Sequence, residues 1–245
     1  MPTETMYANE LSSEEIRRNL DTIKENINKA CSKTGRDPKE VTICAVSKLK
    51  PVEDIQVAMT TGQQLFGENY VQELISKYEI LGDSAEWHMI GHLQKNKVKY
   101  IIDKVSLIHS VDSISLAEQI NKEAGKHDII MDVLLEVNIA GEESKWGFTA
   151  DETEDAAREI GALPHIRVCG LMTSAPYTED AETNRIHFRN LKNLFDKLKD
   201  AHFPGVEPAI LSMGMTGDYI VAVEEGSTMV RVGTGIFGER DYSHK

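Results

Sequence analysis

From Val41 onward the chain repeats one pattern: a short, β-branched, continuously apolar run, then a stretch of helical periodicity. VTICAV at 41–46 is the first run. QLFG at 64–67, WHMIG at 87–91, LIHSV at 107–111, MDVLLEV at 131–137, IRVCGL at 166–171, PAIL at 208–211 and TMVRV at 228–232 follow. Runs of this kind form strands covered on both faces. Between them, VEDIQVAMTTG at 52–62, SISLAEQINKEAG at 113–125 and NRIHFRNLKNLFDKLKDA at 184–201 carry helical spacing. In the last, Ile186, Leu191, Leu194 and Leu198 are assigned to one stripe. Strands that alternate with helices pair in parallel. Units of about 25 residues leave room for one strand, one helix and two short loops. The pattern therefore predicts an α/β fold, a single-domain (β/α)8 TIM barrel over about 41–240, with an open doubly wound sheet as the runner-up. Residues 11–33 read as an extra N-terminal helix: Ser12 or Ser13 caps it, and Glu14 and Glu15 favour its first turn. Ile16, Leu20, Ile23 and Ile27 make its apolar face, and Gly35, Asp37 and Pro38 end it. No linker interrupts the sequence, so one domain is expected over 1–245.

Composition removes several classes of function. The 245 residues hold 27 Lys and Arg against 40 Asp and Glu, a net charge of −13. That excess of acid is wrong for a nucleic-acid binder, which needs a basic face. No stretch approaches the roughly 20 apolar residues of a membrane span. The first residues, MPTETMYANE, are polar and acidic, unlike a signal or transit peptide. Three widely spaced cysteines, Cys31, Cys44 and Cys169, fit a reducing compartment and no disulfide scaffold. The cytoplasm is the expected location.

In barrels of this kind the chemistry sits at the C-terminal ends of the strands. Side chains alternate across a strand, so Thr42, Cys44, Val46 and Lys48 share a face. If that face is the lumen, Lys48 points into the mouth. Burial and a neighbouring cation both lower an amine's pKa, and a neutral amine is what Schiff-base formation requires. AILSMGMTGDY, around the seventh run, closes on Ser212, with a helix starting near Thr216 and with Gly214 and Gly217 permitting a tight turn. TMVRVGTGIFGER places Arg231 inward, followed by a second glycine-rich turn at Gly233, Thr234 and Gly235. Loops after strands seven and eight are the usual phosphate site of these barrels. Closure brings strand eight against strand one, and Arg231 towards Lys48. A reactive amine, a cation and an anion cradle at one mouth suit a phosphorylated aldehyde, and pyridoxal phosphate fits.

Seven segments run in an order that resembles the pyridoxal phosphate homeostasis protein family. They are AVSKLKP at 45–51, FGENYVQE at 66–73, WHMIGHLQKNK at 87–97, EVNIAGEESKWGF at 136–148, GLM at 170–172, LSMGMTGD at 211–218 and RVGTGIFGER at 231–240. The resemblance covers about 41–240. It implies a barrel like the N-terminal domain of bacterial alanine racemase, with pyridoxal 5′-phosphate held as an aldimine on Lys48. It places the phosphate on the Ser212 hydroxyl, the Met213 amide and the amides around Gly233 and Thr234. It sets Arg231 at the pyridine nitrogen and Asn69 facing the cofactor. Thr216 and Gly235 depart from the serine and alanine common in the family.

An arginine at the ring nitrogen can only donate a hydrogen bond, so it favours an unprotonated ring and weak carbanion stabilisation. A racemase needs bases on both faces, and Lys48 is the one good candidate. The reading is therefore a non-catalytic carrier or buffer of pyridoxal phosphate, with no catalytic residue assigned. The racemase's second domain is not expected, and a monomer is expected over a dimer. Apo forms of enzymes that use the cofactor are the expected partners. A racemase of low activity, a cofactor-free Schiff-base aldolase and a pure interaction module are the alternatives. His88 and His92 are four apart, but Gly91 at a turn argues against a shared metal, and no metal site is assigned. The run from Lys95 to Lys104 reads as a solvated face, with an anion or partner patch as the alternative. Glu136 shares the inward parity of Leu134 and is expected to pair with Lys145. Cys44 and Cys169 are expected in the core.

Overall fold

The computed structural model describes residues 11–142 and 144–239. Glu143 and Arg240, quoted in two of the motifs above, and the first ten residues lie outside that range. The chain opens with helix α1 (Ser13–Thr34). Ser12 is its cap, its hydroxyl accepting from the Glu15 N–H while the Glu15 carboxylate accepts from Ser12 in return. Gly35 ends the helix at φ 69°, a left-handed conformation that glycine adopts without strain.

Eight strands follow: β1 (Thr42–Val46), β2 (Leu65–Glu68), β3 (Glu86–Met89), β4 (Leu107–Val111), β5 (Met131–Glu136), β6 (Ile166–Met172), β7 (Val206–Met215) and β8 (Met229–Val232). Each pairs in parallel with the next, and β8 returns to β1 with Cys44 opposite Arg231, so the sheet closes into a barrel. Helices α2 (Val52–Met59), α3 (Val71–Leu81), α4 (Ile114–Lys126), α5 (Thr153–Gly161), α6 (Arg185–Ala201), α7 (Tyr219–Glu224) and α8 (Thr234–Phe237) lie along the outside. The third connection departs from the pattern: its regular element is a 3-10 helix at Lys95–Tyr100.

Alternation along each strand sorts the apolar residues into two layers. Outward side chains such as Ala45, Phe66, Ile108, Val133 and Leu135 join the helices in one large core. Inward ones fill the lumen in two small clusters, Cys44 with Leu65 and Met229, and Leu107 with Leu134, Cys169 and Met172. The lumen is therefore packed and only its mouth is open. The α1 face formed by Ile16, Leu20, Ile23 and Ile27 is buried in the outer core. Asn19 donates to the Ile236 carbonyl at 3.0 Å and Asn26 to the Tyr219 hydroxyl at 2.9 Å, so α1 braces α8 and α7.

Two expectations need correction. The buried stripe of α6 is Phe188, Leu191, Phe195 and Leu198, whereas Ile186 is exposed. Residues 188, 191, 195 and 198 keep the three-and-four spacing of one helical face; the five-residue step from 186 to 191 does not. Strand β7 does not close on Ser212 but runs on to Met215, because Met215 still pairs with Arg231 of β8 across a register shift. The turn and α7 start correspondingly later, at Tyr219. At Gly214, φ is +93° and a Cβ would stand 2.5 Å from the Ala222 Cβ, so glycine is needed for the backbone and for helix packing alike.

Candidate functional site

The mouth holds a cavity of about 350 Å3, within the range of small-molecule sites. Val46, Lys48, Asn69 and Ile90 line one side; Ser174, Pro176 and Tyr177 from the β6–α6 loop line another. Met215, Thr216, Gly217, Asp218, Arg231, Gly233 and Thr234 complete the wall. Of the residues expected at a site, Lys48, Asn69, Arg231, Gly233 and Thr234 come together here. Ser212 and Met213 do not line it. Ser212 is fully buried, and the Met213 side chain packs in the core between barrel and helices, which leaves the expected role of its backbone amide untouched. Thr216, not assigned to the site from sequence, lines the wall, and its hydroxyl accepts from the Gly235 N–H at 3.2 Å and so joins the two glycine-rich turns.

Lys48 stands two residues past β1, with its backbone pinned on both sides. Ser47 donates to Glu68 at 2.6 Å, and its carbonyl accepts from Lys77 Nζ at 2.7 Å. The Leu49 N–H donates at 2.6 Å to Glu73, which also accepts from Lys77 at 2.7 Å. Leu49 has φ 60°, a conformation costly for a branched side chain and held by these bonds. Lys77 bonds Glu68 at 2.7 Å as well, and both are buried. Burial raises the Glu68 pKa to about 6, against the pull of Lys77. None of this was legible in the sequence, since Lys and Glu on a helix or strand read as solvated.

Arg231 is 4% exposed. It donates through Nη1 to the Ser212 carbonyl at 2.9 Å and hydroxyl at 2.7 Å, and through Nη2 to the Thr173 carbonyl at 2.8 Å. Asp218 is the acid in the cavity wall among the described residues, and its carboxylate is engaged. It accepts from the Met215 N–H at 2.6 Å and from Asn184 at 2.9 Å. Asn69 carries a buried amide oxygen with no hydrogen-bond partner. A buried acceptor without a donor is costly, and a ligand that supplies one relieves it. Two basic side chains, an engaged acid, an orphan acceptor and two glycine turns fit a small anion that bears a carbonyl and a hydroxyl.

Glu136 faces inward as expected, but it does not pair with Lys145. Lys145 pairs with Glu142 and donates to the Ser174 carbonyl at 3.0 Å. Burial, and next Asp112, push the Glu136 pKa up to about 7, while Arg231 and Lys145 oppose them. His88 and His92 are parted: His88 points into the lumen onto His109, and His92 meets Asp112 at 3.0 Å and stacks on Trp146. Among the described residues no group of three or more His, Cys, Asp or Glu is placed to hold a metal. The stretch from Lys95 presents Lys99 over the Tyr100 ring at 4.8 Å. Cys44 and Cys169 are buried, and burial pushes their thiols up to about 12 and about 11, too high for a nucleophile. No helix among the described residues is long and apolar enough to cross a membrane.

The model of the family described as alanine racemase, N-terminal domain, matches residues 18–241 of this closed parallel barrel. The pyridoxal phosphate homeostasis protein of Aquifex aeolicus is 46% identical over 224 residues, 91% of this chain and 97% of that one. A structure of an unknown protein from Bifidobacterium adolescentis superposes with a TM-score of 0.88 at 36% identity, covering 95% of this chain and all of that one. PipY of Synechococcus elongatus, solved with pyridoxal phosphate bound, matches with a TM-score of 0.79 at 32% identity over 91% of this chain and all of that one. The chain belongs to the alanine racemase N-terminal domain family and, within it, to the pyridoxal phosphate homeostasis proteins.

Proposed function

We propose that this chain binds pyridoxal 5′-phosphate at the barrel mouth, covalently through Lys48, and acts as a carrier or buffer of the cofactor. The observation that carries the reading is the meeting of Lys48, Arg231, Asn69 and the two glycine-rich turns in one cavity. That a relative of the same fold, PipY, is solved with pyridoxal phosphate supports it. When bound, the cofactor supplies an aldehyde that condenses with a primary amine and absorbs visible light. Lys48 provides the amine, held in place by the bonds to Ser47 and Leu49. Thr216, Gly233 and Thr234 meet the phosphate with a hydroxyl and backbone N–H groups. Ser212 supports Arg231 instead of holding the phosphate. Arg231 donates to the ring side and, being permanently charged, neither gives nor accepts a proton.

This residue set favours holding over turnover. Racemisation needs two opposed bases; Lys48 is one, and the Asp218 carboxylate is committed to the Met215 N–H and Asn184. The acceptors of released cofactor in this reading are apo enzymes, in the cytoplasm, and the carrier is a monomer. The test is an absorbance spectrum of the purified protein with added pyridoxal phosphate, beside Lys48→Ala, followed by borohydride reduction and peptide mapping. A visible band absent from the variant, with the reduced label on Lys48, is expected. A label on another lysine, or no band, overturns the site. Turnover of enantiopure alanine by the same sample would replace the carrier reading with the racemase one.

A further inference from the structure

Below the mouth, four inward-facing polar groups cross the lumen in a chain. Arg231 Nη1 donates to Ser212 Oγ at 2.7 Å. Ser212 Oγ lies 3.1 Å from His109 Nδ1, and His109 Nε2 lies 2.9 Å from His88 Nδ1. At the opposite end of the barrel, His88 Nε2 is 3.4 Å from Glu86 Oε1. Ser212, His109, His88 and Arg231 are all buried, whereas the Glu86 side chain is 52% exposed. The chain thus spans the packed lumen from the mouth to solvent on the far side.

Donor arithmetic gives it one direction. A guanidinium only donates, so Ser212 Oγ accepts from Arg231. Among the described residues the acceptor within reach of the serine proton is His109 Nδ1, so Ser212 donates there, which leaves the His109 proton on Nε2. His88 Nδ1 accepts a hydrogen bond from that N–H, and the His88 proton on Nε2 faces the Glu86 carboxylate. Reversing the order would strand the Ser212 hydroxyl proton beside the guanidinium. Both imidazoles are therefore neutral Nε2–H tautomers. Their burial agrees, since it lowers the pKa of both.

We infer that His109 and His88 are positioning residues for Arg231, acting through Ser212, and that Glu86 on the far face of the barrel orients the whole chain. Arg231 is the group that the proposed function turns towards the cofactor ring, so the inference rests on that reading. Two backbone carbonyls hold the guanidinium plane, and Ser212 fixes its third bond. With the serine locked as a donor to His109, Arg231 has no alternative acceptor arrangement. A carboxylate at the solvent end favours this polarity over its reverse.

Two measurements test it. In protein without cofactor, nitrogen NMR of the imidazoles is expected to show both as Nε2–H at neutral pH; an Nδ1–H signal from either overturns the chain. With pyridoxal phosphate added, the visible band of Glu86→Gln is expected to shift in wavelength relative to wild type. Position 86 is half-exposed and outside the cavity, so a merely structural role would not move the band. His109→Leu keeps the lumen filled and is expected to shift the band and weaken cofactor binding roughly tenfold, the worth of one charge-linked hydrogen bond. If His109→Leu does not fold, Glu86→Gln still decides. A wild-type band with unchanged spectra in the variants overturns the positioning role alone. No band in the wild type overturns the proposed function, and this role with it.

Discussion

Thr216 and Gly235, which the resemblance marks as departures from a serine and an alanine, lie in contact. A Cβ added at Gly235 would stand 3.1 Å from the Thr216 Cγ2 and 3.0 Å from the Val232 Cγ1. The threonine methyl fills the space that an alanine methyl would take, and its hydroxyl keeps the bond to the Gly235 N–H. The two departures read as one exchange of a methyl group between neighbouring turns. Alanine in a short helix favours folding by about 1 kcal/mol over glycine, but crowding of this degree costs as much or more. Gly235→Ala alone is therefore expected to be neutral or to destabilise by about 1 kcal/mol. In a Thr216→Ser background the same change is expected to stabilise, with a coupling of about 0.5–1 kcal/mol. Urea unfolding of the wild type, both single variants and the double variant measures that coupling. Additive effects within about 0.3 kcal/mol would show that the two methyls do not compete.

At the scale of elements, α3 does more than cover the barrel. Its Lys77 reaches back to β2 and to the segment after β1, joining Glu68, Glu73 and the Ser47 carbonyl. Lys77→Met removes the cation and leaves two carboxylates behind Lys48. Losing one partner of a buried ion pair costs about 3–5 kcal/mol, lessened where Glu68 takes up a proton. We expect a loss near the lower end and a weaker hold on pyridoxal phosphate, because Leu49 no longer has its bond to a fixed Glu73. Thermal unfolding and a cofactor titration on the same preparation check both; a variant that melts lower but binds as before would confine Lys77 to stability. The contrast shows what a sequence makes legible. Recurring short apolar runs between helical stretches exposed the strands, and parity placed Lys48, Arg231 and Glu136 inward, because both signals are written in neighbouring residues. Lys77 was invisible because a charged residue on a helix reads as solvated until its partners on another element are known. The end of β7 was misread because Met215 stays in the sheet through pairing with β8, a long-range term that no local run encodes. Thr216, just past the end of β7, lines the cavity wall, whereas Ser212 and Met213 do not. His109, in the middle of an apolar strand, had the right parity for the lumen but no local sign of a partner.

For the molecule as a whole, the closed barrel and its helices bury groups of opposite titration sense, Glu136, His88 and His109 on the lumen side and Glu68 between β2 and α3. Glu136, pushed up to about 7, and Glu68, up to about 6, hold protons more tightly in the folded chain than in the unfolded one. A carboxyl raised in this way contributes stability that is full below the unfolded value, about 4.5, and is lost as pH rises through the folded one. His88 and His109 are lowered, so they contribute stability that is present above their unfolded value, about 6.5, and lost as pH falls. Between about pH 5 and pH 8 the two pairs therefore pull against each other, and the wild-type profile conceals both. Glu136→Gln separates them, since glutamine resembles the protonated acid and does not titrate. Near pH 5 the variant is expected to match the wild type. Towards pH 8 it is expected to gain on the order of 3 kcal/mol relative to it, from a shift of this size at about 1.4 kcal/mol per pH unit. Urea midpoints at a constant slope, taken across that range, give the difference directly. A gap that does not change with pH would mean that Asp112 and burial leave the Glu136 carboxyl at its ordinary value. A gap that opens as stated makes Glu136 neutral over much of the range below pH 7, which takes one negative charge out of the lumen beside Arg231, a change that favours a phosphorylated ligand at the mouth.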